Sequence, residues 1–202
     1  MRVLVTGFRT NKSHPVNTSY EVKNALNRQI DNVEIIPEDM IASYHNTIPY
    51  MEELIRKYNP DAFICMGQAL RREVISLEKV AINYQNEERD WALDDDGFLP
   101  QHRPILEDGP DGYFTNLPIL KMLEALKKES YPSEISLTAG AIGCNNAMYC
   151  ILHLIHTKYP RMIGGFIHVP SHHQHPRRLI KSFDVEYIAR GVETAIKVLG
   201  AT

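Results

Sequence analysis

The chain alternates between two patterns of apolar residues. Short runs rich in apolar and β-branched residues predict buried strands; they cover residues 2–6, 33–36, 62–66, 74–82, 134–137 and 163–169. Longer segments with an apolar residue every three or four positions predict helices; one begins at residue 18 and the others span 51–58, 117–128, 145–158 and 185–199. Because strands and helices alternate, the sequence predicts an α/β fold with an open, mostly parallel, twisted sheet flanked by helices.

Polar residues separate these elements. Thr18 and Glu21 have the spacing of a capping box at the start of the first helix. Residues 83–111 are rich in Asp, Asn, Gly and Pro and show weak periodicity, which predicts a long excursion with a small hairpin. Excursions of this kind are typical of a lid or rim rather than of a domain boundary. We therefore expect a single domain over residues 1–202.

Charge and hydropathy exclude several classes of protein. The net charge is −3 and the Lys and Arg residues are scattered, so nucleic acid is not an expected partner. No apolar run approaches the roughly 18 residues that cross a bilayer, and the amino terminus shows no signal-peptide core. We expect a cytoplasmic protein that binds neither nucleic acid nor membrane.

The three cysteines are an odd number without Cys-x-x-Cys spacing, which argues against a disulfide framework or a structural zinc site. Cys65 and Cys150 are expected in the core, within a strand and a helix. Residues 171–175 contain three histidines, but they lack helical ligand spacing and an acidic cluster. We interpret this stretch as a polar loop and expect neither a metal nor another cofactor.

Cys144 is the strongest candidate for chemistry. It follows a predicted strand and a turn of small residues, 138–143, and it precedes the helix predicted for 145–158. A cysteine at a helix N-terminus meets unpaired N–H groups and the positive end of the helix dipole, which favour the nucleophilic thiolate. The same N–H groups can hold an oxyanion. The alternative is a small buried apolar cysteine at a strand-to-helix turn.

Two further residues have the chemistry that a thiolate catalyst needs. His168 ends an apolar strand directly before Pro170, where a stiff backbone would hold a general base. Glu78 lies in the predicted strand 74–82 on the same face as apolar residues, so its carboxylate requires a partner such as an imidazole N–H. The alternatives are a core histidine and a salt-bridged strand carboxylate.

The order of the elements favours one shared site. Ligands of open α/β sheets bind at the carboxyl ends of the strands. Phe8 follows the first strand, Gln68 follows the third, Cys144 follows a later strand, and His168 ends its own. We therefore expect these side chains to share one rim of the sheet.

Together these motifs resemble the pyroglutamyl peptidases of the cysteine type, also called pyrrolidone carboxyl peptidases. The resemblance runs colinearly from residue 1 to about 170. It rests on the opening VLVTGF, Gly67-Gln68-Ala69, ISLEKVAIN around Glu78, Gly109-Pro110 with the following Leu117-Pro118-Ile119, Thr138-Ala139-Gly140 before Cys144-Asn145, and GFIHVP around His168.

The resemblance implies a Cys-His-Glu triad, with Cys144 as nucleophile, His168 as general base and then acid, and Glu78 as orienter. It implies that Arg72 lies near the active site. The implied reaction removes an N-terminal pyroglutamyl residue from a peptide through a thioester, without metal or cofactor. Members of this family are cytosolic and often tetrameric, so a dimer or tetramer is expected.

The sequence departs from the family pattern in the substrate-binding loop. Phe8 is kept, but the second phenylalanine of the loop is Asn11, and the following glycine pair is Lys12-Ser13. The family's Gly-Gly-Arg turn is Leu70-Arg71-Arg72. We expect Phe8, Asn11, Gln68 and Arg72 to contact substrate. Two alternatives follow: a thiol amidase that acts on another small N-capped or cyclic amide, for example one whose negative charge meets Lys12 or Arg71, and a catalytically silent binding homologue.

Overall fold

A computed structural model describes residues 1–11, 15–87, 93–178 and 181–201. Within these residues nine strands form: β1 (Arg2–Phe8), β2 (Gln29–Ile30), β3 (Val33–Met40), β4 (Ala62–Gln68), β5 (Ile75–Glu78), β6 (Val80–Ile82), β7 (Gly112–Phe114), β8 (Ser133–Ser136) and β9 (Ile163–Val169). The helices in the same residues are α1 (Thr18–Ala25), α2 (Thr47–Tyr58), α3 (Ile119–Lys128), α4 (Gly143–Thr157), α5 (Val185–Lys197) and a final 3-10 turn (Val198–Ala201).

Seven strands form one sheet in the order β2-β3-β1-β4-β9-β5-β8. The central strands β3, β1, β4 and β9 run parallel, whereas β2 is antiparallel to β3 and β5 is antiparallel to β9. The predicted α/β fold with an open, mostly parallel sheet is confirmed. Parallel strands need crossover connections, and the chain supplies them as helices on both faces of the sheet.

Side-chain alternation along the strands divides the core into two layers. On β4, Phe63 and Cys65 face the layer that contains α2 and α4, whereas Ile64 and Met66 face the layer that contains α1, α3 and α5. Both layers are built from fully buried apolar side chains, since a central parallel strand is covered on both faces. No described helix combines the length and apolarity needed to cross a membrane.

The predicted strand 74–82 is wrong in one respect, because the chain leaves the main sheet at Lys79. β5 ends at Glu78 and stays in the main sheet, and β6 pairs antiparallel with β7 in a separate ribbon. Lys79 N–H donates to Ser136 O at 2.8 Å, which holds the bend. Glu78 is therefore not on a common face with Val80 and Ile82. Alternation of apolar residues predicts a strand but does not indicate its partner.

The start of α1 also differs from the prediction. Asn17, not Thr18, caps the helix: its Oδ1 accepts from Ser19 N–H at 3.0 Å. A short polar side chain one residue earlier thus satisfies an N–H group of the first turn, and the Thr18–Glu21 spacing does not mark the cap. The short strands β2 and β7 were not predicted, and α2 begins at Thr47 rather than at residue 51.

Candidate active site

The register between β4 and β9 builds the floor of the site. His168 on β9 pairs with Gly67 on β4, so both residues face the α4 layer. His168 is 5% exposed, and its Nδ1 lies 2.7 Å from Oε1 of Glu78, which is 0% exposed. A buried carboxylate that accepts an imidazole N–H fixes the ring's orientation and leaves Nε2 free to exchange a proton with a neighbouring group.

Cys144 lies in the first turn of α4, above Gly67. A Cβ built on Gly67 would lie only 2.7 Å from Cys144 Sγ, so the missing side chain provides the space that the sulfur occupies. Cys144 lies beside His168, close enough for its charge to act on the imidazole. The N-cap residue Ile142 gives the helix no side-chain hydrogen bond, which leaves N–H groups of the first turn beside the sulfur.

Interactions with neighbours change the protonation of His168. Burial lowers its pKa, but the negative charge of Cys144 and hydrogen bonds with Cys144 and Glu78 outweigh this and raise it to about 9. At neutral pH these interactions favour the protonated imidazole of His168 beside the Cys144 sulfur. A thiolate is the form of cysteine that attacks carbonyl carbon, and an imidazolium can later protonate a leaving amine.

Arg72 lies near the site, on the carboxylate of Glu78. It does not line the cavity described below; its guanidinium donates to Glu78 Oε1 at 2.6 Å and to Thr138 O at 2.9 Å. Burial alone raises the pKa of Glu78, but hydrogen bonds from His168, Ser136 and Arg72 and the charge of His168 lower it overall. Arg72 therefore helps to keep the buried carboxylate ionised rather than facing substrate.

A cavity of about 670 Å³ opens in front of Cys144. Three of the four residues expected to contact substrate, Phe8, Asn11 and Gln68, line it. Gln68 is held in place because its Oε1 accepts from Thr18 N–H at 3.0 Å. Loops that follow β1, β3, β4 and β9 surround the opening, as expected for the carboxyl ends of parallel strands.

Asn11 belongs to a polar network at the edge of the cavity. Its Nδ2 donates to Asp95 Oδ1 at 3.2 Å, and Arg9 donates to Asp95 Oδ2 at 2.7 Å. This network ties the loop after β1 to the excursion 83–111, whose residue Asp94 lines the cavity. In the described part of the excursion, Leu93 and Asp94 thus form part of the cavity wall. Lys12-Ser13 lie outside the described residues.

Tyr44 also lines the cavity, although no pattern in the sequence had indicated it. Its side chain lies beside Gly143, at the start of α4. Burial first, and then the negative charge of Cys144, raise the pKa of Tyr44 above its ordinary value, so the phenol stays protonated. The available signal was its position four residues after the end of β3, at the same sheet edge as Phe8.

The two other cysteines lie outside the cavity lining, whereas His175 is part of it. Cys65 and Cys150 are buried as expected, and burial raises the pKa of both thiols, that of Cys65 to about 12. His172 and His175 are buried in the loop after β9, and their rings contact edge to face. Among the described residues, no group of three or more His, Cys, Asp or Glu is arranged to hold a metal ion.

Comparisons with known proteins agree with the geometry. A sequence model described as pyroglutamyl peptidase matches residues 1–201. The pyrrolidone-carboxylate peptidase of Thermosipho melanesiensis is 38% identical over 199 residues, which cover 98% of this chain and 97% of that protein.

Solved structures give the same result. Pyroglutamyl peptidase I from Bacillus amyloliquefaciens matches with a TM-score of 0.92 and 32% identity, over 100% of this chain and 97% of that one. Pyrrolidone carboxyl peptidase from Pyrococcus furiosus matches with a TM-score of 0.86 and 30% identity, over 98% and 97%. The chain belongs to the pyroglutamyl peptidase family.

Proposed function

We propose that the protein hydrolyses the amide bond after an N-terminal pyroglutamyl residue, with Cys144, His168 and Glu78 as its catalytic residues. The observation that carries the proposal is the buried His168–Glu78 pair beneath a cysteine that faces a cavity. Membership of the pyroglutamyl peptidase family supports the acyl group, and the geometry supports the roles of the three residues.

In the first half of the reaction the Cys144 thiolate attacks the carbonyl carbon of the pyroglutamyl group. N–H groups of the first turn of α4 stabilise the resulting oxyanion. His168 donates its proton to the amide nitrogen, the carbon–nitrogen bond breaks, and the shortened peptide leaves with a free amino terminus. The acyl group remains on Cys144 as a thioester.

In the second half a water molecule attacks the thioester. His168, now neutral, takes a proton from the water, and the second tetrahedral intermediate breaks its carbon–sulfur bond. Free pyroglutamate leaves, and the thiolate–imidazolium pair returns. Glu78 holds the imidazole throughout, and Arg72 holds Glu78. These steps use only protein groups and water.

One observation favours a substrate whose acyl group is not pyroglutamyl. The position that would complete an aromatic clamp with Phe8 is Asn11, which joins Arg9 on Asp95. Losing one apolar wall of the ring pocket costs on the order of 1–3 kcal/mol of burial. A thiol amidase that acts on a more polar N-capped amide would use the same triad with this polar wall.

Hydrolysis of pyroglutamyl-aminomethylcoumarin under reducing conditions tests the proposal. We expect wild type to release the fluorophore, Cys144→Ala to be inactive, and Cys150→Ala, which removes a core thiol outside the site, to retain activity. Activity of Cys144→Ala comparable with wild type would refute the mechanism. A wild-type protein that alkylates rapidly at Cys144 but cleaves no pyroglutamyl amide would instead favour an acyl group other than pyroglutamyl.

We further propose that the chain is a single domain, acts in the cytoplasm and assembles as a dimer or tetramer. The family resemblance supports all three statements. Light scattering of the purified protein tests the assembly directly, since a monomer at micromolar concentration would contradict it.

A further inference from the structure

The sheet order divides the cavity into two sides. Loops that follow β3 and β1 line one side, and loops that follow β4 and β9 line the other, because β4 lies between β1 and β9. β4 and β9 run parallel and end together, with Gln68 paired to Val169. Arg71 follows Gln68 by three residues, and Arg177 lies in the loop after Val169, so both project from neighbouring strand ends.

The two arginines differ from the other charged residues of the cavity lining. Arg9 is paired with Asp95, and the Asp94 carboxylate accepts three backbone N–H groups, from residues 44, 96 and 98, at 2.8–3.0 Å. Arg71 and Arg177 are exposed, and neither guanidinium has a hydrogen bond or ion pair within the described residues. The side of the cavity formed by β4 and β9 thus carries two uncompensated positive charges.

The direction of the substrate follows from the proposed function, on which this inference rests. Within the described residues, Phe8 at the end of β1 and Tyr44 after β3 are the aromatic residues that line the cavity, and both lie on the side available to the pyroglutamyl ring. The scissile bond must lie at Cys144. A peptide that enters the cavity in this way extends its leaving group toward the loops after β4 and β9.

We propose that Arg71 and Arg177 form an anion-binding subsite for the leaving group, and that the enzyme prefers pyroglutamyl peptides with a carboxylate directly after the scissile bond. Guanidinium groups bind carboxylates through paired N–H donors. The carboxylate is either the side chain of Asp or Glu in the residue after pyroglutamate or the free terminus of a pyroglutamyl dipeptide. The subsite changes substrate affinity and takes no part in the chemical steps.

The test compares four substrates that differ only in the leaving group: the amidated dipeptides pyroglutamyl-Glu, pyroglutamyl-Gln and pyroglutamyl-Lys, and pyroglutamyl-Gln with a free carboxyl terminus. Release of the amine is followed at neutral pH and low salt. We expect kcat/KM for the Glu amide to exceed that for the Gln amide about three- to tenfold, chiefly through KM, because each exposed ion pair contributes modestly. The Lys amide should be the poorest substrate.

Variants identify the residues responsible. The double variant Arg71→Gln/Arg177→Gln should reduce the Glu-to-Gln ratio to about one while it still cleaves the Gln amide. Arg161→Gln is the matched control, since this exposed arginine lies just before β9, at the opposite end of the sheet. Salt at about 1 M should also remove the preference, because the Debye length falls to about 3 Å.

The outcomes separate the inference from the proposed function. A Glu-to-Gln ratio near one in wild type without a preference for the free terminus, or a preference that the double variant retains, overturns the subsite while cleavage of the Gln amide upholds the peptidase. Failure to cleave any of the four substrates overturns both. Preference for the free terminus over its amide, without preference for Glu over Gln, assigns the subsite to a terminal carboxylate.

Discussion

Gly67→Ala tests whether the space beneath Cys144 is essential. The added Cβ would lie 2.7 Å from Cys144 Sγ and 2.8 Å from Phe166 Cζ. Ordinary contacts between such atoms are about 3.5–4.0 Å, so both contacts must lengthen by about 1 Å. Phe166 is 1% exposed and packed in the core, whereas Cys144 borders an open cavity. We therefore expect the sulfur to move.

The expected loss of activity is larger than the loss of stability suggests. A displacement of about 1 Å at a reacting atom can lower the rate about a hundredfold. Overpacking by one methyl group costs about 1–3 kcal/mol, which a domain of this size tolerates. Gly67→Ala should therefore fold, melt at a lower temperature and lose about two orders of magnitude in kcat/KM.

The assay combines pyroglutamyl-aminomethylcoumarin hydrolysis, the rate of iodoacetamide alkylation and thermal unfolding. The control is Gly191→Ala, whose Cβ would lie 2.5 Å from Ile75 Cδ1, in the core layer on the other face of the sheet. It should lower stability without slowing either reaction of Cys144. A folded Gly67→Ala protein with kcat/KM within threefold of wild type would refute the packing argument.

Three further predictions concern the triad. The pKa of His168 is raised from 6.5 to about 9, so the stability that its protonated form contributes is complete below pH 6.5 and is lost as the pH rises through 9. The melting temperature and kcat/KM should therefore both fall between about pH 8 and pH 10. Profiles that stay flat to pH 10 would contradict the ion pair. Arg72→Gln should lower the free energy of unfolding by about 1–3 kcal/mol, because the buried Glu78 carboxylate loses a charged hydrogen-bond donor. The same variant should lower kcat more than it raises KM, and Arg72→Lys should restore part of the activity. A change in KM alone would assign Arg72 to substrate binding. Iodoacetamide at neutral pH should give one adduct, on Cys144, in the folded protein, since the two other cysteines are buried; a second adduct detected by mass spectrometry before unfolding would contradict this selectivity.

The elements that hold the triad were predicted well because each depends on local pattern. Cys144 was predicted at the start of a helix because it follows a strand and a turn of small residues and precedes an amphipathic segment. His168 was predicted at the end of a strand because an apolar run leads to Pro170. Glu78 was selected through an alternation argument that extended too far, since the strand leaves the sheet at Lys79. The carboxylate was still in the right strand, because the pattern before Lys79 was sufficient to bury it.

The remaining contacts could not be predicted because they join residues that are distant in sequence. Arg9 and Asp95 are 86 residues apart, and Tyr44 meets Gly143 only after β3 and α4 have packed on the sheet. The family resemblance predicted that Arg72 lies near the site. Its hydrogen bond to Glu78 depends on the turn between β4 and β5, which the sequence pattern does not specify. Side-chain pairing across loops has no periodic signal in the sequence.

Chemistry and specificity belong to different parts of this molecule. Cys144, His168 and Glu78 lie on α4, β9 and β5, whose positions the packed core determines. The cavity wall that contains Asn11 comes instead from loops that polar contacts hold to the excursion. We expect substitutions in such loops to change which acyl group fits without moving the Cys144 sulfur relative to the His168 imidazole. The polar wall beside Phe8 is therefore compatible with an intact triad, and alkylation of Cys144 should not respond to substitutions there.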